Sequence, residues 1–214
     1  GRKIYACNIG NPQALEQKPI SFYRQVIALL EASDNIQRER NLTKFAQDNV
    51  ELFKESGIDL ISGDIIDYSE EFLHNCSTGM GAYTESKGPT FIREAIAHFI
   101  NLRDKNDITS DPESIFLTDG ASDAARRILE LLITGPNDGI MIPIPQYPLY
   151  SATVRRCGGI QVGYYPDEEK DWALTPDILE EAYQNAKSKG INVKCIVIIN
   201  PGNPTGAILD KHSI

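Results

Sequence analysis

The sequence predicts an α/β fold with a mostly parallel sheet and crossover helices, and three observations support this prediction. Residues 195–206 read Cys-Ile-Val-Ile-Ile-Asn-Pro-Gly-Asn-Pro-Thr-Gly. A short run of branched aliphatic residues is typical of a strand buried on both faces, and the prolines and glycines end it in a rigid loop. From Glu113 onward, strand-like runs alternate with helical runs, which favours parallel strands joined by helices. Hydrophobic content of 41% and charged content of 24% fit a globular protein.

The composition also excludes several classes of partner. The chain has 214 residues and a formal net charge of -9, which argues against binding to nucleic acid or to an anionic membrane surface. No apolar run approaches the roughly 20 residues of a membrane span. The three histidines are isolated, so no metal site is predicted, and the four widely spaced cysteines indicate reduced thiols. We therefore expect a cytoplasmic protein, with a mitochondrial location as the alternative.

Helices dominate the predicted N-terminal part. The predicted helices are 22–32, with Ser21 as the N-cap, and 43–56, which ends at Gly57. The dense charge over residues 34–40 is interpreted as a solvated linker between them.

Two glycine-containing segments could approach a ligand closely. Residues 4–9 are predicted to form a short strand that ends in a turn at Gly10, and a substrate-facing backbone is the alternative interpretation of this glycine. Residues 78–88 place glycines around Tyr83, whose ring is either half-buried in the loop or directed at a ligand. A helix follows, because apolar residues recur at helical spacing over 91–100.

Strands and helices alternate along the C-terminal part. The predicted strands are 115–118, 139–143, 160–165 and 196–199, and the predicted helices are 123–132, 148–156 and 176–190. Thr175 is predicted to cap the last helix, which Pro176 starts and Gly190 closes. Ligands of open α/β sheets bind outside the carboxyl ends of the strands, so the loops after these strands form the candidate site.

Three strand ends carry groups suited to a phosphorylated heteroaromatic ring. Ala121 and Ser122 would begin a helix whose unpaired N–H groups attract an anion. Tyr147, held among prolines, offers a flat face for stacking. The amide of Asn203 offers an acceptor and two donors. An ordinary helix N-cap, a packed loop tyrosine and a tight turn are the alternative interpretations.

These motifs resemble those of the subgroup I aminotransferases of fold type I, which depend on pyridoxal 5'-phosphate (PLP), and of alanine aminotransferases in particular. The Asn-Pro-Gly-Asn-Pro-Thr-Gly loop is shared widely in the family, and the narrower resemblance rests on residues 8–14, 18–26 and 145–151. The resemblance implies an aspartate aminotransferase-like fold. It also implies transamination between L-alanine and 2-oxoglutarate, giving pyruvate and L-glutamate, as part of amino-acid metabolism.

The resemblance gives each candidate residue a role. The implied roles are phosphate binding by Ala121 and Ser122, stacking on the pyridine ring by Tyr147, and a hydrogen bond to the 3-hydroxyl from Asn203. Tyr83 would reach the cofactor phosphate in the partner subunit's site, which implies a homodimer. Gly10 would border the substrate carboxylate.

The resemblance also implies that part of the enzyme is absent. It assigns residues 1–75 to an N-terminal segment with part of the small domain, and residues 76–214 to the first part of the large PLP-binding domain. The family's covalent PLP-binding lysine lies in a Ser/Thr-x-x-Lys segment after the Asn-Pro-Thr-Gly loop. The match at residues 84–87 precedes that loop, so Lys87 is interpreted as a surface lysine. We expect the catalytic lysine beyond Ile214, an incomplete sheet with an unpaired edge, and weak PLP binding without transamination by these residues alone.

Two alternatives to an alanine aminotransferase stay open from the sequence. The first is another subgroup I amino-acid aminotransferase or an enzyme similar to aminocyclopropane-carboxylate synthase. The second is a non-enzymatic protein that retains the fold without the lysine.

Overall fold

The computed structural model describes residues 10–105 and 108–209, which form two compact units. The N-terminal unit comprises Gly1–Phe116, and the C-terminal unit comprises Leu117–Ile214. The strand predicted over residues 4–9 lies outside the described residues. The domain division predicted after residue 75 stays a prediction, because a compact unit does not by itself correspond to a domain of the family.

Helices build the N-terminal unit. They are α1 (Ser21–Glu31), α2 (Asp34–Asp48), α3 (Val50–Ser56), α4 (Gly63–Asn75) and α5 (Thr90–Arg103), with short 3₁₀ turns at Pro12–Leu15 and Pro112–Ser114. The apolar faces of α1, α2 and α4 form one core. Its buried residues are Val26, Leu29, Leu30, Ile36, Ile65 and Ile66.

The charged segment 34–40 is helical, so its interpretation as a solvated linker is wrong. It is the first half of α2, and Ile36 places it against the core. Of its charged residues, Arg40 contacts α4, where its guanidinium donates to Glu70 at 2.7 and 3.0 Å and to Asp67 at 2.8 Å. Dense charge here marks the outer face of an amphipathic helix.

Other helix boundaries in this unit also differ from prediction. The helix predicted over 43–56 is interrupted at Asn49, whose φ of -133° leaves the helical region and whose side chain donates to the Phe45 carbonyl at 2.9 Å. Gly57 ends α3 in the left-handed conformation at φ 65°, as predicted. Ser21 is the first residue of α1 and makes no capping hydrogen bond, so its prediction as the N-cap is wrong. The helix α4 was not predicted, although its buried residues Ile65, Ile66 and Ser69 follow a helical spacing.

The C-terminal unit is a parallel α/β structure, as predicted. Its elements are α6 (Ala121–Leu132), β1 (Asp138–Pro143), α7 (Leu149–Arg156), β2 (Ile160–Tyr164), α8 (Pro176–Ser188) and β3 (Asn192–Ile196). The strands form one parallel sheet in the order β2-β1-β3. Thr175 caps α8 by accepting from the Ile178 N–H at 3.4 Å, and Gly190 follows the helix at φ 75°, both as predicted.

Helices cover both faces of this sheet. Successive residues of β1 point to opposite faces, and all six are buried. On one face Ile140 and Ile142 pack with Leu129 of α6 and Val154 of α7. On the other face lies a second cluster, formed by Met141, Val162, Tyr164, Leu174 and Ala186.

Two strand predictions are wrong. Residues 115–118 lie outside any strand of the described chain. The strand predicted over 196–199 ends at Ile196, although the Val197 N–H still donates to the Met141 carbonyl at 2.8 Å. As the edge strand, β3 alternates exposed and half-buried residues, so the fully buried strand is β1. Aliphatic content alone does not say which strand is central.

Asp138 ties the N-terminal ends of β1 and β3 together. Its buried carboxylate accepts hydrogen bonds from the Thr134 N–H at 2.8 Å and hydroxyl at 2.9 Å, from the Gly135 N–H at 2.9 Å and from the Asn192 side chain at 2.9 Å. Lys194 adds an ion pair at 3.4 Å. These donors, the Thr134 backbone N–H foremost, hold the pKa of Asp138 well below its usual range.

The cysteines of the described chain are reduced. Cys76 is buried, Cys157 and Cys195 are half-buried, and all three are free thiols. Across residues 10–105 and 108–209, no helix combines the length and apolar character needed to cross a membrane.

Candidate functional site at the carboxyl edge of the sheet

The N-terminus of α6 carries the predicted phosphate-binding residues Ala121 and Ser122. Gly120 precedes the helix at φ 81° and ψ 168°, a conformation open essentially to glycine alone. The Gly120 carbonyl accepts from the N–H groups of Asp123 and Ala124 at 3.2 and 3.3 Å. Among the described residues, the N–H groups of Ala121 and Ser122 have no acceptor. No atom lies within 4 Å of a Cβ built on Gly120, so a phosphate could approach these two donors.

The loop after β1 presents Tyr147. Its ring is 47% exposed, while the backbone on either side is held in place. The Ile144 N–H donates to the Tyr164 carbonyl at 2.9 Å. The Gln146 side chain donates to the Ser151 hydroxyl at 2.9 Å, which closes the loop around Tyr147. A flat ring on an anchored loop suits stacking on a heteroaromatic ligand.

The loop after β3 presents Asn203 and is braced by its own hydrogen bonds. The Gly202 N–H donates to the Ala207 carbonyl at 2.8 Å, and the Gly206 N–H donates to the Gly202 carbonyl at 2.8 Å. A Cβ on Gly202 would collide with the Thr205 hydroxyl, so a larger residue here would require the Thr205 side chain to move. Asn203 itself is exposed and free to present its amide.

Asn203 also lines a mainly apolar cavity beneath its loop. The lining includes Trp172, Tyr164, Leu174, Pro143 and Ile198. Tyr164 braces the cavity by donating its hydroxyl to the Val197 carbonyl at 2.7 Å, and burial raises the pKa of Tyr164 to about 12. Tyr164 and Trp172 were not among the predicted site residues, although Trp172 is the single tryptophan of the chain.

The sheet topology places two of the predicted residues at one edge. Because β1 and β3 are adjacent and parallel, the loops that follow them leave the same edge of the sheet. Tyr147 and Asn203 stand on these two loops. The cavity lined by Asn203 includes neither Tyr147 nor Ser122, so the structure brings the candidates to one sheet and does not enclose them in one cavity.

Two predicted residues belong to the N-terminal unit. Tyr83 projects from the loop between α4 and α5 with its side chain fully exposed, at 102% of the reference area. Gly10 is exposed, and no atom lies within 4 Å of a Cβ built on it. Their predicted roles, like those of Ala121, Ser122, Tyr147 and Asn203, stay predictions.

Lys87, interpreted from the sequence as a surface lysine, is partly exposed and forms an ion pair. Its ammonium group donates to the Glu113 carboxylate at 2.5 Å and to the Glu113 carbonyl at 3.1 Å, and its side chain is 30% exposed. Because the ammonium is engaged in this way, Lys87 is poorly placed to act as a nucleophile.

Comparisons with known proteins identify the family. The model of the family "Aminotransferase class I and II" matches residues 58–214. The chain is 46% identical over 212 residues to the "Probable alanine aminotransferase, mitochondrial" of Dictyostelium discoideum, covering 99% of this chain and 36% of that protein. It is 44% identical over 214 residues to "Glutamate--glyoxylate aminotransferase 1" of Arabidopsis thaliana, covering all of this chain and 41% of that protein.

A solved structure supports the assignment of the fold. An alanine aminotransferase from Pyrococcus furiosus superposes with a TM-score of 0.54 at 31% identity, over 66% of this chain and 34% of that chain. The chain therefore spans about two fifths or less of the length of these relatives. The parallel sheet, the loops at its carboxyl edge and these similarities agree, and the chain belongs to the class I and II aminotransferases of PLP-dependent fold type I.

Proposed function

We propose that this protein is an aminotransferase that moves an amino group between L-alanine and 2-oxoglutarate, and that this chain supplies part of its cofactor site. The observation that carries the proposal is the pair of adjacent parallel strands, β1 and β3, whose anchored loops expose Tyr147 and Asn203. The name of the Dictyostelium relative supports the choice of alanine.

Family membership implies PLP as the cofactor, and the residues present fit this group. When bound, PLP supplies an electron sink that eases loss of the proton from the substrate Cα. The N–H groups of Ala121 and Ser122, which have no acceptor among the described residues, would hold its phosphate with help from the dipole of α6. Tyr147 would orient the ring by stacking, and the amide of Asn203 would donate to the ring oxygen.

The proposal extends to the assembly and location of the protein. We infer a homodimer, because the family resemblance gives Tyr83 a place in the partner subunit's site and its side chain is fully exposed. We also propose that Gly10 borders the substrate carboxylate, which its open surroundings allow. A cytoplasmic location is proposed, and the mitochondrial names of some relatives make the mitochondrion the alternative.

A glutamate–glyoxylate aminotransferase is the second candidate function. The Arabidopsis relative with this name is nearly as similar to the chain as the Dictyostelium relative, at 44% against 46% identity. The two candidates share the cofactor site and differ in the 2-oxo acid they accept. The test is an assay of the longer enzyme that includes the cofactor-binding lysine. The rate of amino transfer to 2-oxoglutarate should be compared with the rate of transfer to glyoxylate.

The cofactor site can be tested by ligand binding. Trp172 lines the same cavity as Asn203, and it is the single tryptophan of the chain, so its fluorescence reports on this site. The probe is pyridoxamine 5'-phosphate, which has no aldehyde and cannot react with surface lysines. We expect Asn203→Ala to weaken binding roughly tenfold or more, as for a hydrogen bond to a charged group. Tyr147→Leu should weaken it roughly 2- to 10-fold, as for a lost aromatic pair.

Matched controls separate the site from the surface. Asn185→Ala and Tyr183→Leu change the same residue types on α8 and should leave binding unchanged. Pyridoxamine without phosphate should bind at least roughly tenfold more weakly, since it forfeits the donors at α6. Equal binding of the two probes, or equal loss in the control variants, would contradict the proposed site.

A further inference from the structure

Arg93 is a buried arginine in the second turn of α5. Its side chain is 1% exposed, although α5 was predicted to bury an apolar face. Ala97, one turn later, is the other buried residue of this helix. A fully charged guanidinium is costly to bury unless all its donors are paired, so its surroundings must provide acceptors.

Every N–H group of the Arg93 guanidinium has an acceptor. The Nε donates to the Gly88 carbonyl at 2.9 Å. One terminal nitrogen donates to the Pro112 carbonyl and the Glu113 carboxylate, both at 2.8 Å. The other donates to the Glu85 carboxylate at 2.7 Å and the Thr90 hydroxyl at 3.0 Å. These five bonds use the full donor capacity of arginine.

The acceptors of Arg93 are themselves held in place. Glu85 accepts a second hydrogen bond from the Thr90 hydroxyl at 2.7 Å. Glu113 also accepts from the ammonium of Lys87. Hydrogen bonds from Arg93 and Lys87 lower the pKa of the Glu113 carboxyl to about 2. Glu113 is therefore held by two cationic side chains, Arg93 and Lys87.

Two of these acceptors lie in the loop that carries Tyr83. Glu85 and Gly88 follow Tyr83 at two and five residues, and the Gly88 N–H donates to the Glu85 carbonyl at 2.8 Å. The fully exposed Tyr83 side chain gains nothing from packing in the described part of its own unit. The backbone of the loop therefore sets its position. Arg93 holds this loop at two points after Tyr83, the Glu85 carboxylate and the Gly88 carbonyl.

We propose that Arg93 is a positioning residue that fixes the loop 79–88 and so directs Tyr83 toward the cofactor phosphate. The inference rests on the proposed function, in which Tyr83 contacts the phosphate in the partner subunit's site. Arg93 acts through the loop and does not itself contact the cofactor. Lysine cannot replace it fully, because one ammonium group cannot span acceptors that lie on three different segments.

The test compares cofactor affinity and loop order in the same variants. Pyridoxamine 5'-phosphate is titrated into the protein, followed by Trp172 fluorescence, and amide hydrogen exchange is measured over residues 79–88. We expect Tyr83→Phe to lower affinity roughly tenfold or more, as for one hydrogen bond to a charged group. Arg93→Met should lower it by a similar factor and speed exchange in the loop, while Arg93→Lys should restore part of both.

A double variant shows whether Arg93 acts through Tyr83. If it does, Tyr83→Phe adds little to the loss already caused by Arg93→Met, because the hydroxyl is then misplaced. Arg40→Met is the matched control, since Arg40 also bonds two carboxylates in the N-terminal unit but touches neither residue 85 nor residue 88. It should leave affinity unchanged at temperatures where circular dichroism shows each variant to be folded.

The outcomes distinguish the inference from the proposed function. Affinity lost in Tyr83→Phe but kept in Arg93→Met would overturn the inference and leave the proposed function standing. Unchanged affinity in Tyr83→Phe would contradict the proposed contact and overturn the inference with it. Additive losses in the double variant, or an equal loss in Arg40→Met, would reduce Arg93 to a general stabilising role and overturn the inference.

Discussion

Single charged residues connect distant segments of this chain. Arg93 joins α5 to the loop before it and to the 3₁₀ turn at Pro112–Ser114, while Asp138 joins the starts of β1 and β3. Both are buried, and both have their hydrogen-bonding capacity satisfied by several partners. Removing one member of such a network leaves the others unpaired, which costs more than the network gains over water. Substituting a partner such as Glu113 should therefore destabilise the protein, as should substituting the buried charge itself.

Glu113 should make the protein sensitive to acid. The pKa of its carboxyl is lowered from 4.5 to about 2 by Arg93 and Lys87. Because the folded pKa lies below the unfolded one, the stabilisation is present above about pH 4.5 and is lost as the pH falls towards 2. We expect Glu113→Gln to be less stable at neutral pH and to lose less stability between pH 5 and pH 2, as measured by urea unfolding.

The control for this pH experiment is another glutamate. Glu51→Gln removes the same charge from an exposed pair with Lys54, whose side chains are 82% and 67% exposed. Such a pair contributes little, so the variant should follow the parent protein. If the free energy of unfolding of Glu113→Gln falls between pH 5 and pH 2 as steeply as that of the parent protein, other carboxylates cause the acid sensitivity.

At the scale of the element, helix ends and strand position matter most. The helix α6 begins at the candidate phosphate site because Gly120 turns the chain there, in a conformation that side chains rarely adopt. The strand β3 has a neighbour on one side only, and it ends at Ile196. The helix α2 continues through a charged segment because its other face reaches the core. Each boundary reflects what the element packs against, in addition to its own residues.

Gly120→Ala should disturb the start of α6. Nothing crowds a Cβ at this position, so the cost comes from the backbone conformation at φ 81° and is about 1–3 kcal/mol. We expect a lower urea midpoint and weaker binding of pyridoxamine 5'-phosphate. Gly63→Ala is the matched control, since Gly63 begins α4, has equally open surroundings and lacks a positive φ. Its stability should stay within about 0.5 kcal/mol of the parent, and an equal loss in both variants would contradict the backbone explanation.

At the scale of the whole molecule, two compact units each have apolar clusters of their own. The N-terminal unit buries one helical cluster, and the C-terminal unit buries a cluster on each face of its sheet. The strand β1 takes part in both clusters of the sheet, so its residues carry the largest packing contribution there. The formal net charge of -9 does not bear on a small anionic ligand, because such a ligand needs only local donors.

Ile140→Ala tests the packing around β1. Ile140 is fully buried, so the lost methyl groups and the resulting cavity should cost about 2–5 kcal/mol. Ile208→Ala makes the same change in the same unit at a residue that is 76% exposed, and it should cost less than about 0.5 kcal/mol. Urea unfolding followed by circular dichroism compares the two variants. Similar losses at both positions would contradict the central role of β1.

Several elements with local sequence patterns were predicted correctly. Alternating strand and helix runs predicted the parallel unit, Thr175 and Pro176 predicted the start of α8, and Gly57 predicted the end of α3. These features depend on periodicity, capping and backbone conformation, which act over a few neighbouring residues. The loops with Tyr147 and Asn203 were predicted in the same way, from prolines and glycines next to apolar runs.

The sequence did not predict which strand is central in the sheet or which charged side chains are buried, because both depend on tertiary contacts. The aliphatic run at 196–199 suggested a central strand, yet β1 has neighbours on both sides and β3 has one. The helical stripe of α5 suggested an apolar face, yet Arg93 is buried because acceptors from residues 85, 88, 112 and 113 surround it. Those acceptors lie up to 20 residues away in the chain. Burial of a charge depends on such distant partners, and a local sequence pattern cannot predict them.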